Sequence, residues 1–538
     1  MAPIIRICKT LSVSVLLAIA APASAAQEAS DIYWNAQRQE ITGRGDEALK
    51  SYAKLLARSP DSEAAASNLL DAAVREGSFI DALAAVKAAQ KAKQADSDAP
   101  LLLLADAFRR KKWGEADRTL TDLEAEGDFA FMMPMLKGWL NVAQGRDSGV
   151  DVRTFQSSGL TAYYSDDQLI YFDLTERNIA QAKLRLRNFR GYDEPHGRFL
   201  AGHAMGEFSR SGDAEFESAL GRQIGLDAGN YATPPVTAEL GLAMLFARLG
   251  LALDEQGQPQ KALYFARIAN WIAPSSDAAK LSLAELFDRQ GLDAKASGLL
   301  KVIAPASPFW TQAVVNQTQL AATPEEAVAI ARSASEMQPA SSQLKLLHAQ
   351  TLEQAEKRDK AITVYRSLLD QDAGGANGPR RAVYLLLLAT ALDANGDWDS
   401  ARNALEDAAV LDPQNAQILN YLGYSLLERR IDVARGFDLV SKAHQLAPQS
   451  AAITDSLGWA HFLRGETDAA IPLLESAVKG AIADVAINEH LGDAYWANGR
   501  RTEARFAWKA AALAAEGNVA ERLTRKIDFG WTKETAAP

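Results

Sequence analysis

Small side chains recur at fixed intervals along the chain, and this recurrence limits the folds that it can adopt. Gly423, Gly458 and Gly492 are separated by 35 and 34 residues, and each is followed twelve or thirteen residues later by a second small residue. Two helices of a hairpin approach closely only where neither presents bulk, so each pair predicts the crossing of a first helix (helix A) with a second (helix B). The predicted packing pairs are Gly250 with Ala262, Ala284 with Ala296, Gly423 with Gly436, Gly458 with Ala470, and Gly492 with Ala504.

Prolines after apolar runs repeat with the same period. They lie 34, 31, 74 and 35 residues apart, and the interval of 74 covers two repeats and an insertion. A period near 34 is typical of a solenoid built from two-helix units. No sustained alternation of apolar and polar residues predicts a sheet, so we expect an all-α fold. The prolines are Pro274, Pro308, Pro339, Pro413 and Pro448.

The repeat resembles a known family. Ser456-Leu457-Gly458-Trp459, followed by Ala470, Leu474 and Ala477, is similar to the consensus of the tetratricopeptide repeat (TPR), as is Leu491-Gly492-Asp493-Ala494-Tyr495 with Ala504, Trp508 and Ala511. The resemblance covers about two thirds of the chain. It implies a right-handed superhelical solenoid of antiparallel helix pairs, and it says less about function because such arrays serve many partners.

The pattern divides the chain into five predicted segments. Residues 1–25 are a signal peptide, 26–130 are TPR-like repeats, and 131–242 form a less regular section of degenerate helical repeats or a helical spacer. Residues 243–518 hold about eight units, one of them short in helix A at 311–341, with an inserted loop at 374–379. Residues 519–538 form a capping helix and a mobile tail. Within the irregular section, 148–165 and 225–237 are predicted loops.

The first 25 residues carry an export signal. Arg6 and Lys9 precede an apolar run at 11–21, and Ala23-Ser24-Ala25 matches the pattern of a signal peptidase site, so we expect cleavage after Ala25. The run is shorter than the roughly 20 residues needed to cross a bilayer. We therefore expect a periplasmic protein with no transmembrane segment in the mature chain. Its alanine-rich, acidic repeats resemble those of Gram-negative bacterial proteins.

Composition excludes several classes of function. The formal net charge is −11, which gives the chain no overall electrostatic reason to bind nucleic acid or an anionic membrane surface. The chain has one cysteine, Cys8, inside the predicted signal peptide. Disulfides, thiolate zinc sites and cysteine nucleophiles are therefore not expected in the mature protein.

Motifs for phosphate binding, serine hydrolysis and zinc proteolysis do not occur, so no catalytic residue, metal or cofactor is predicted. His196 and His203 come nearest to a metal-binding pair, with Asp193 and Glu194 as further candidate ligands. An enzyme or metal-binding protein with its site in the 131–242 section therefore remains an alternative.

The resemblance to the TPR family implies that ligands bind a concave surface lined by helix A. Carried over to the last three repeats, the family's contact positions combine aromatic side chains with carboxylates, a mixture that interfaces favour. The predicted partner-binding residues are Asn420, Tyr424, Asp455, Trp459, Phe462, Glu489, Asp493 and Trp496. The alternative is that the tryptophans pack between repeats while the acids face solvent.

We therefore expect a non-enzymatic periplasmic scaffold or adaptor in envelope assembly, secretion or polymer export. Its partners would be proteins or peptides with apolar and basic side chains. The carboxylates Asp455, Glu489 and Asp493 would repel an acidic chain terminus, which disfavours a carboxylate-clamp adaptor. Peripheral association with the envelope is compatible with this interpretation, and so is a structural protein that associates with itself.

Overall fold

The computed structural model describes residues 23–93, 98–127, 129–149, 159–224, 233–372 and 378–532, together with Thr535 and Ala537. Every regular element within these ranges is helical, which confirms the all-α fold. Most of the predicted signal peptide, most of the predicted loop at 225–237 and most of the predicted insertion at 374–379 lie outside the described residues. The chain divides into two compact units, Met1–Leu320 and Ala321–Pro538.

The first unit begins with three helix hairpins. In each, the first helix packs against the second, and consecutive hairpins pack on one another. The helices are α1 (Ala23–Ile41), α2 (Gly45–Arg58), α3 (Glu63–Glu76), α4 (Phe79–Lys91), α5 (Ala99–Arg109) and α6 (Trp113–Glu126). The predicted signal-peptide cleavage after Ala25 would shorten α1 by its first three residues.

The less regular section is also helical. It contains α7 (Met133–Ala143), α8 (Gly159–Thr175), α9 (Ile179–Asn188), α10 (Pro195–Ser211) and α11 (Ala214–Gln223). The predicted loop at 148–165 is therefore wrong from Gly159 onward. Helix α8 buries polar side chains as well as apolar ones, including Asp167 and Gln168, so its sequence shows no amphipathic stripe. The Oε1 atom of Gln168 accepts from the Trp139 indole at 2.8 Å, and Asp167 binds Arg248 at 2.7 Å.

The last five helices of the first unit are α12 (Ala238–Glu255), α13 (Pro259–Ile272), α14 (Asp277–Arg289), α15 (Asp293–Leu300) and α16 (Trp310–Gln319). Helix α13 packs on α3 and α5, the first helices of two N-terminal hairpins. Arg267 donates to the carbonyls of Val74 and Arg75 at 2.7 and 3.0 Å, and the Trp271 indole donates to the carbonyl of Gly77. These bonds satisfy backbone acceptors that the end of α3 leaves without intrahelical partners.

The second unit continues the hairpins without an irregular section. Its helices are α17 (Pro324–Met337), α18 (Ser342–Gln354), α19 (Arg358–Gln371), α20 (Gly378–Ala394), α21 (Trp398–Leu411), α22 (Ala416–Glu428), α23 (Val433–Leu446), α24 (Ala451–Leu463), α25 (Thr467–Gly480), α26 (Val485–Ala497), α27 (Arg501–Ala512) and α28 (Gly517–Phe529). The boundary between the two units falls after Leu320, inside the repeat whose helix A the sequence predicts to be short.

Capping residues fix where the helices A of this unit begin. Ser341, Asn415 and Asp484 each precede such a helix and accept a hydrogen bond from a backbone N–H of its first turn. These side chains replace a partner that the helix cannot supply to its own first amides. Gly465 and Gly499 lie between helices A and B with φ of 79° and 84°, the left-handed region that glycine adopts at low cost.

The apolar core of the second unit is a series of clusters along the chain. One extends from α18 to α22 around Tyr365, Leu388 and Leu405, and the others lie around Val440, Ile453, Leu474 and Trp508. Each cluster joins neighbouring helices, as expected of a repeat that cannot bury its apolar stripe alone. Among the helices A of this unit, α22 packs on α24 and α24 packs on α26, so these three helices lie side by side.

Candidate functional site

The predicted packing residues lie where helices A and B meet. A side chain at Gly250 would come within 2.9 Å of the Ala262 carbonyl oxygen, and one at Gly423 would come within 2.9 Å of the Gly436 carbonyl oxygen. The backbones of these hairpins thus approach to a distance that excludes a larger residue. The alanines at the remaining packing positions are all buried: Ala284, Ala296, Ala470 and Ala504.

Gly458 and Gly492 make room for side chains of helix B. The atoms nearest to a side chain at Gly458 belong to Leu474, and a side chain at Gly492 would overlap the indole of Trp508. Leu474 and Trp508 each lie one helical turn beyond the small residue predicted as the partner. In these two hairpins the absent side chain therefore accommodates a large one, and Trp508 is fully buried as a result.

Asp455, Trp459 and Phe462 form one aromatic and ionic group on α24. The Trp459 indole lies between the ring of Phe462 and the ring of His490 on α26, with centroids 4.7 and 4.1 Å away. The Nδ1 atom of His490 lies 3.0 and 2.9 Å from the two carboxylate oxygens of Asp455. Trp459 and His490 are buried, whereas Phe462 is half-buried. Among the described residues, the Trp459 Nε1–H has no hydrogen-bond acceptor.

Glu489 and Asp493 on α26 are held by two basic residues of α28. Arg522 donates two hydrogen bonds to the carboxylate of Glu489, at 2.8 and 2.7 Å. The Lys526 ammonium contacts Glu489 at 2.7 Å and both oxygens of Asp493 at 2.7 and 2.8 Å. Lys526 has no exposed surface, so its charge lies entirely within this cluster.

Further donors complete the pairing of Asp493. The Trp508 indole donates to one of its oxygens at 2.9 Å, and the backbone N–H of Ala537 donates to the other at 3.1 Å. Neither Glu489 nor Asp493 faces solvent, contrary to the alternative in which these acids solvate the surface. Because their charges are paired, repulsion of an acidic chain terminus has no support at these two residues.

The pKa values of this cluster reflect burial and its partners. Burial opposes ionisation of Glu489, but the hydrogen bonds from Arg522 and the charge of Lys526 outweigh it and hold its pKa below the usual value. For Asp493 burial dominates, and the pKa is raised even though Lys526 works against the shift. Burial opposes protonation of His490, but the Asp455 carboxylate outweighs it and raises the pKa. His490 is therefore poised to carry a positive charge beside Asp455.

Trp496 lies at the end of the same helix, away from the ion pairs. Its ring faces the guanidinium groups of Arg501 and Arg505, at 4.4 and 5.1 Å from the ring centre. The ring also packs against Trp508 and beside Gly530, where a side chain would overlap it. Trp496 thus contacts the turn into α27 and the end of α28.

Asn420 and Tyr424 lie on a more open part of the surface. Both are half-buried on α22, and the side-chain oxygen of Asn420 has no hydrogen-bond donor. Burial raises the pKa of Tyr424, and the nearby carboxylates of Glu428 and Asp455 raise it further. The corresponding positions of α18 and α20 carry uncharged residues: Leu346, Gln350, Val383, Leu386 and Thr390. We call the outward positions of α18, α20 and α22 the open section, and those of α24 and α26 the acidic section.

Sequence reasoning missed the basic residues of α28 that pair with the acidic section. The sequence places Arg522 and Lys526 only within the predicted capping helix and tail of residues 519–538. Their spacing of four residues places both on one face of α28, and two acids four residues apart, Glu489 and Asp493, lie on α26. This matched spacing was the available signal, but nothing in the sequence shows which helix lies beside α28.

The predicted alternative site in the 131–242 section is not assembled among the residues that the structure describes. Burial lowers the pKa of His196 to about 4 and that of His203 to about 3, so both are neutral at pH 7. His203 pairs with the Tyr171 hydroxyl at 3.0 Å, whereas His196 lies 3.2 Å from Glu194. No group of three or more candidate metal ligands occurs in the described ranges. A nearby cavity of about 330 Å³ is lined by residues such as Lys183, Arg187 and Asp213, and by neither histidine.

The family model for the tetratricopeptide repeat matches three segments of the chain, residues 42–100, 386–451 and 456–520. The last two contain the helices of the acidic section and most of the second unit's hairpins. These three segments of the chain carry tetratricopeptide repeats. Such repeats generally form scaffolds that bind other proteins, so the predicted repeat is confirmed, and with it the general expectation of a scaffold for protein–protein interaction.

One curated relative is the TPR repeat-containing protein PA4667 of Pseudomonas aeruginosa, which is 28% identical over 221 residues. The match covers 40% of this TPR chain and 36% of the relative, so the chain spans about a third of the length of the curated relative that it matches. The relative's printed name gives no partner, and the partner of this chain is a matter for proposal.

Two solved structures extend along most of this TPR chain. Yeast Tom70 is 15% identical, covers 94% of this chain and 95% of its own, and has a TM-score of 0.37. The Cut9–Hcn1 assembly of the APC/C is 15% identical, with coverage of 93% and 96% and a TM-score of 0.38. At these TM-scores the likenesses add nothing to the functional argument. A search of the described helices found none with the length and apolar character of a membrane span.

Proposed function

We propose that this protein is an exported, non-enzymatic scaffold that binds partner proteins or peptides through its open section. One observation carries the proposal: the adjoining acidic section of the same surface already holds a helix, α28, of this chain. A surface that holds one helix of this chain beside the open section supports the proposal that the open section holds a segment of another protein. In the open section the described neighbours leave comparable positions uncovered, with Val383 41% exposed and Thr390 exposed.

The chemistry of the open section defines the segment that would bind there. Leu346, Val383 and Leu386 supply apolar area, while Gln350, Thr390 and Asn420 supply hydrogen-bonding groups without charge. The unpaired side-chain oxygen of Asn420 requires a donor, because a buried acceptor without one costs about 1–3 kcal/mol. An apolar segment with amide or hydroxyl donors would satisfy these positions.

A peptide-display selection tests this proposal directly. The purified full chain would select binders from a library of random peptides, and selection would be repeated with Leu386→Arg plus Thr390→Arg. We expect wild-type protein to enrich apolar, weakly charged peptides and the double variant to lose them. The control is Val410→Arg on α21, where the residue is 80% exposed outside the open section. Equal enrichment by all three proteins would contradict the open section as the binding surface.

The proposed location is the periplasm, with a role in envelope assembly, secretion or polymer export. Its support is the amino-terminal sequence, with Arg6 and Lys9 before an apolar run and Ala23-Ser24-Ala25 after it. Fractionation and amino-terminal sequencing of the expressed protein check this. We expect an osmotic-shock fraction that begins at Ala26, and accumulation of the longer chain when Ala25 is replaced by Leu. A protein that stays in the cytoplasm with Met1 intact would contradict export.

A further inference from the structure

Helix α28 contacts the acidic section mainly through its two cations. Of its side chains, Leu523 and Lys526 are buried, whereas Phe529 at its end is 82% exposed. Its remaining attachment includes the bond from the Arg505 side chain to the Ile527 carbonyl, at 2.9 Å. The helix also packs on α27, where Val519, Leu523 and Ile527 join the apolar cluster around Trp508. Its attachment to α26, by contrast, is a set of paired charges, which give less net stabilisation than a packed apolar face of the same size.

The acidic section is complementary to a basic helix in charge and in spacing. Arg522 and Lys526 are one helical turn apart, and Glu489 and Asp493 are one turn apart on the facing helix. Each cation thus meets a carboxylate at 2.7 Å, and the four charges of this group balance. Any helix that presents two cations four residues apart can make the same pairs, whatever chain it belongs to.

A polar group beside the ion pairs has no partner. The Trp459 Nε1–H is buried and donates to none of the residues that the structure describes; the Trp459 side chain is 2% exposed and stacks on His490. A buried donor without an acceptor is uncommon in native proteins. This donor is independent of the carboxylates, and it lies on the ring that stacks on His490, the neighbour of Glu489.

We propose that the acidic section is a docking site for a partner's basic helix with cations four residues apart, and that α28 occupies it as an exchangeable internal competitor. This inference rests on the proposed function, in which the same surface binds partner segments. The partner's helix would place its cations on Glu489 and Asp493 and would displace α28. Because α28 is tethered to α27 by a short turn at 513–516, its effective concentration is high, and the free site is exposed for a small fraction of the time.

A labelled synthetic peptide of residues 516–531 tests the exchange on the full chain. Fluorescence anisotropy would measure its binding to wild-type protein, to Arg522→Ala plus Lys526→Ala, and to the control Arg525→Ala, which removes an exposed cation of the same helix. We expect the double variant to bind the peptide at least tenfold more tightly than wild type, because its own α28 competes poorly. The control should bind as weakly as wild type.

Peptide variants test the recognition itself. With the double variant as receptor, a peptide that carries Lys526→Gln should lose binding at least tenfold, whereas one with Arg525→Gln should retain it. Adding Glu489→Gln and Asp493→Asn to the receptor should abolish the difference between these peptides. Circular dichroism of each receptor verifies that the hairpins remain folded.

Two results would overturn the inference. One is a double variant that stays folded and gains no affinity for the peptide. The other is a wild-type protein that light scattering shows to be a dimer and that the double variant converts to a monomer, since α28 would then exchange between copies of this chain. Neither result depends on Leu386 or Thr390, so the peptide selection on the open section would stand or fail separately.

Discussion

Helices α13 and α28 both bring basic side chains onto earlier helices of their own unit, and they do so in different ways. Arg267 of α13 donates to the backbone carbonyls of Val74 and Arg75, while Lys526 of α28 binds the carboxylates of Glu489 and Asp493. Ten of the fourteen residues of α13 are buried, against two of thirteen in α28. Similar cations thus belong to a largely apolar core in α13 and to a buried ion-pair cluster in α28, the contact that we propose to be exchangeable.

The acceptors explain the different electrostatics. Burial lowers the pKa of Arg267 to about 10, because carbonyl groups compensate its charge only in part and Glu76 adds a modest attraction. In the acidic section, by contrast, full negative charges face the cations. Helix α13 is therefore held mainly by apolar packing, and α28 by buried ion pairs together with its apolar contact to the Trp508 cluster.

The largest expected effect is that of Arg267→Ala. It removes two hydrogen bonds from the end of α3 and leaves buried carbonyls without donors, which we expect to lower the free energy of unfolding by roughly 3 kcal/mol. Urea unfolding followed by circular dichroism measures this. Arg58→Ala, which removes a half-exposed arginine of α2, should change it by less than about 0.5 kcal/mol. If Arg267→Ala lowered the free energy of unfolding by less than about 1 kcal/mol, α13 would not differ from α28 in how strongly its cation stabilises the fold.

The next effect concerns Trp508, which donates to the same carboxylate as Lys526. Gly492→Ala would overlap the buried indole of Trp508, whose Nε1–H donates to Asp493, so we expect a loss of about 2 kcal/mol from overpacking. Gly298→Ala on α15 is the matched control, because its added methyl group meets no atom within 4 Å. In a helix this replacement should be neutral or stabilise by up to about 1 kcal/mol. Equal unfolding curves for the two variants would show that Trp508 moves aside without cost.

Lys526→Ala should affect α28 and little else. When α28 detaches, Glu489 and Asp493 regain water, so we expect global stability to change by no more than about 1 kcal/mol. Hydrogen exchange should meanwhile become much faster in residues 519–529, and Arg525→Ala should leave it unchanged. A global loss of 3 kcal/mol or more would place α28 in the permanent core beside α13.

The smallest effect is a pH dependence centred on His490. Its pKa is raised in the folded protein, so it stabilises the fold below about pH 6.5, and this contribution is lost as the pH rises through the folded value. The groups that face it are Asp455, Trp459, Tyr424, Glu489 and Asp493. Melting temperatures at pH 6 and pH 8 should differ more for wild type than for His490→Gln. An identical difference would assign the pH dependence to other groups.

The fold was predictable because its signals are local and repeated. The small residues at Gly423, Gly436 and Ala504 mark helix crossings that depend on sequence spacing alone. The irregular section was harder to predict, since α8 pairs its buried Asp167 with Arg248, 81 residues away. A polar residue buried against a distant partner leaves no amphipathic stripe, so the sequence alone does not mark Gly159–Ser165 as helical.

The residues of the candidate site could be chosen from the sequence, but their ion pairs and hydrogen bonds could not. Asp455, Trp459, Glu489 and Asp493 follow from repeat positions, and their aromatic and acidic character was evident. The neighbours that pair them were not: His490 on Asp455, and Arg522 and Lys526 on the acids of α26. Whether these residues bind a partner stays a prediction that the peptide experiments address.

By itself, the sequence determined the helix hairpins, because the spacing of small and apolar residues is a property of each repeat. Tertiary structure alone decided which charges are paired, since Lys526 meets Asp493 across 33 residues of chain and Arg267 meets Val74 across 193. Packing a helix needs only a compatible face, which sequence shows, but pairing a buried charge needs one particular neighbour, which sequence leaves open.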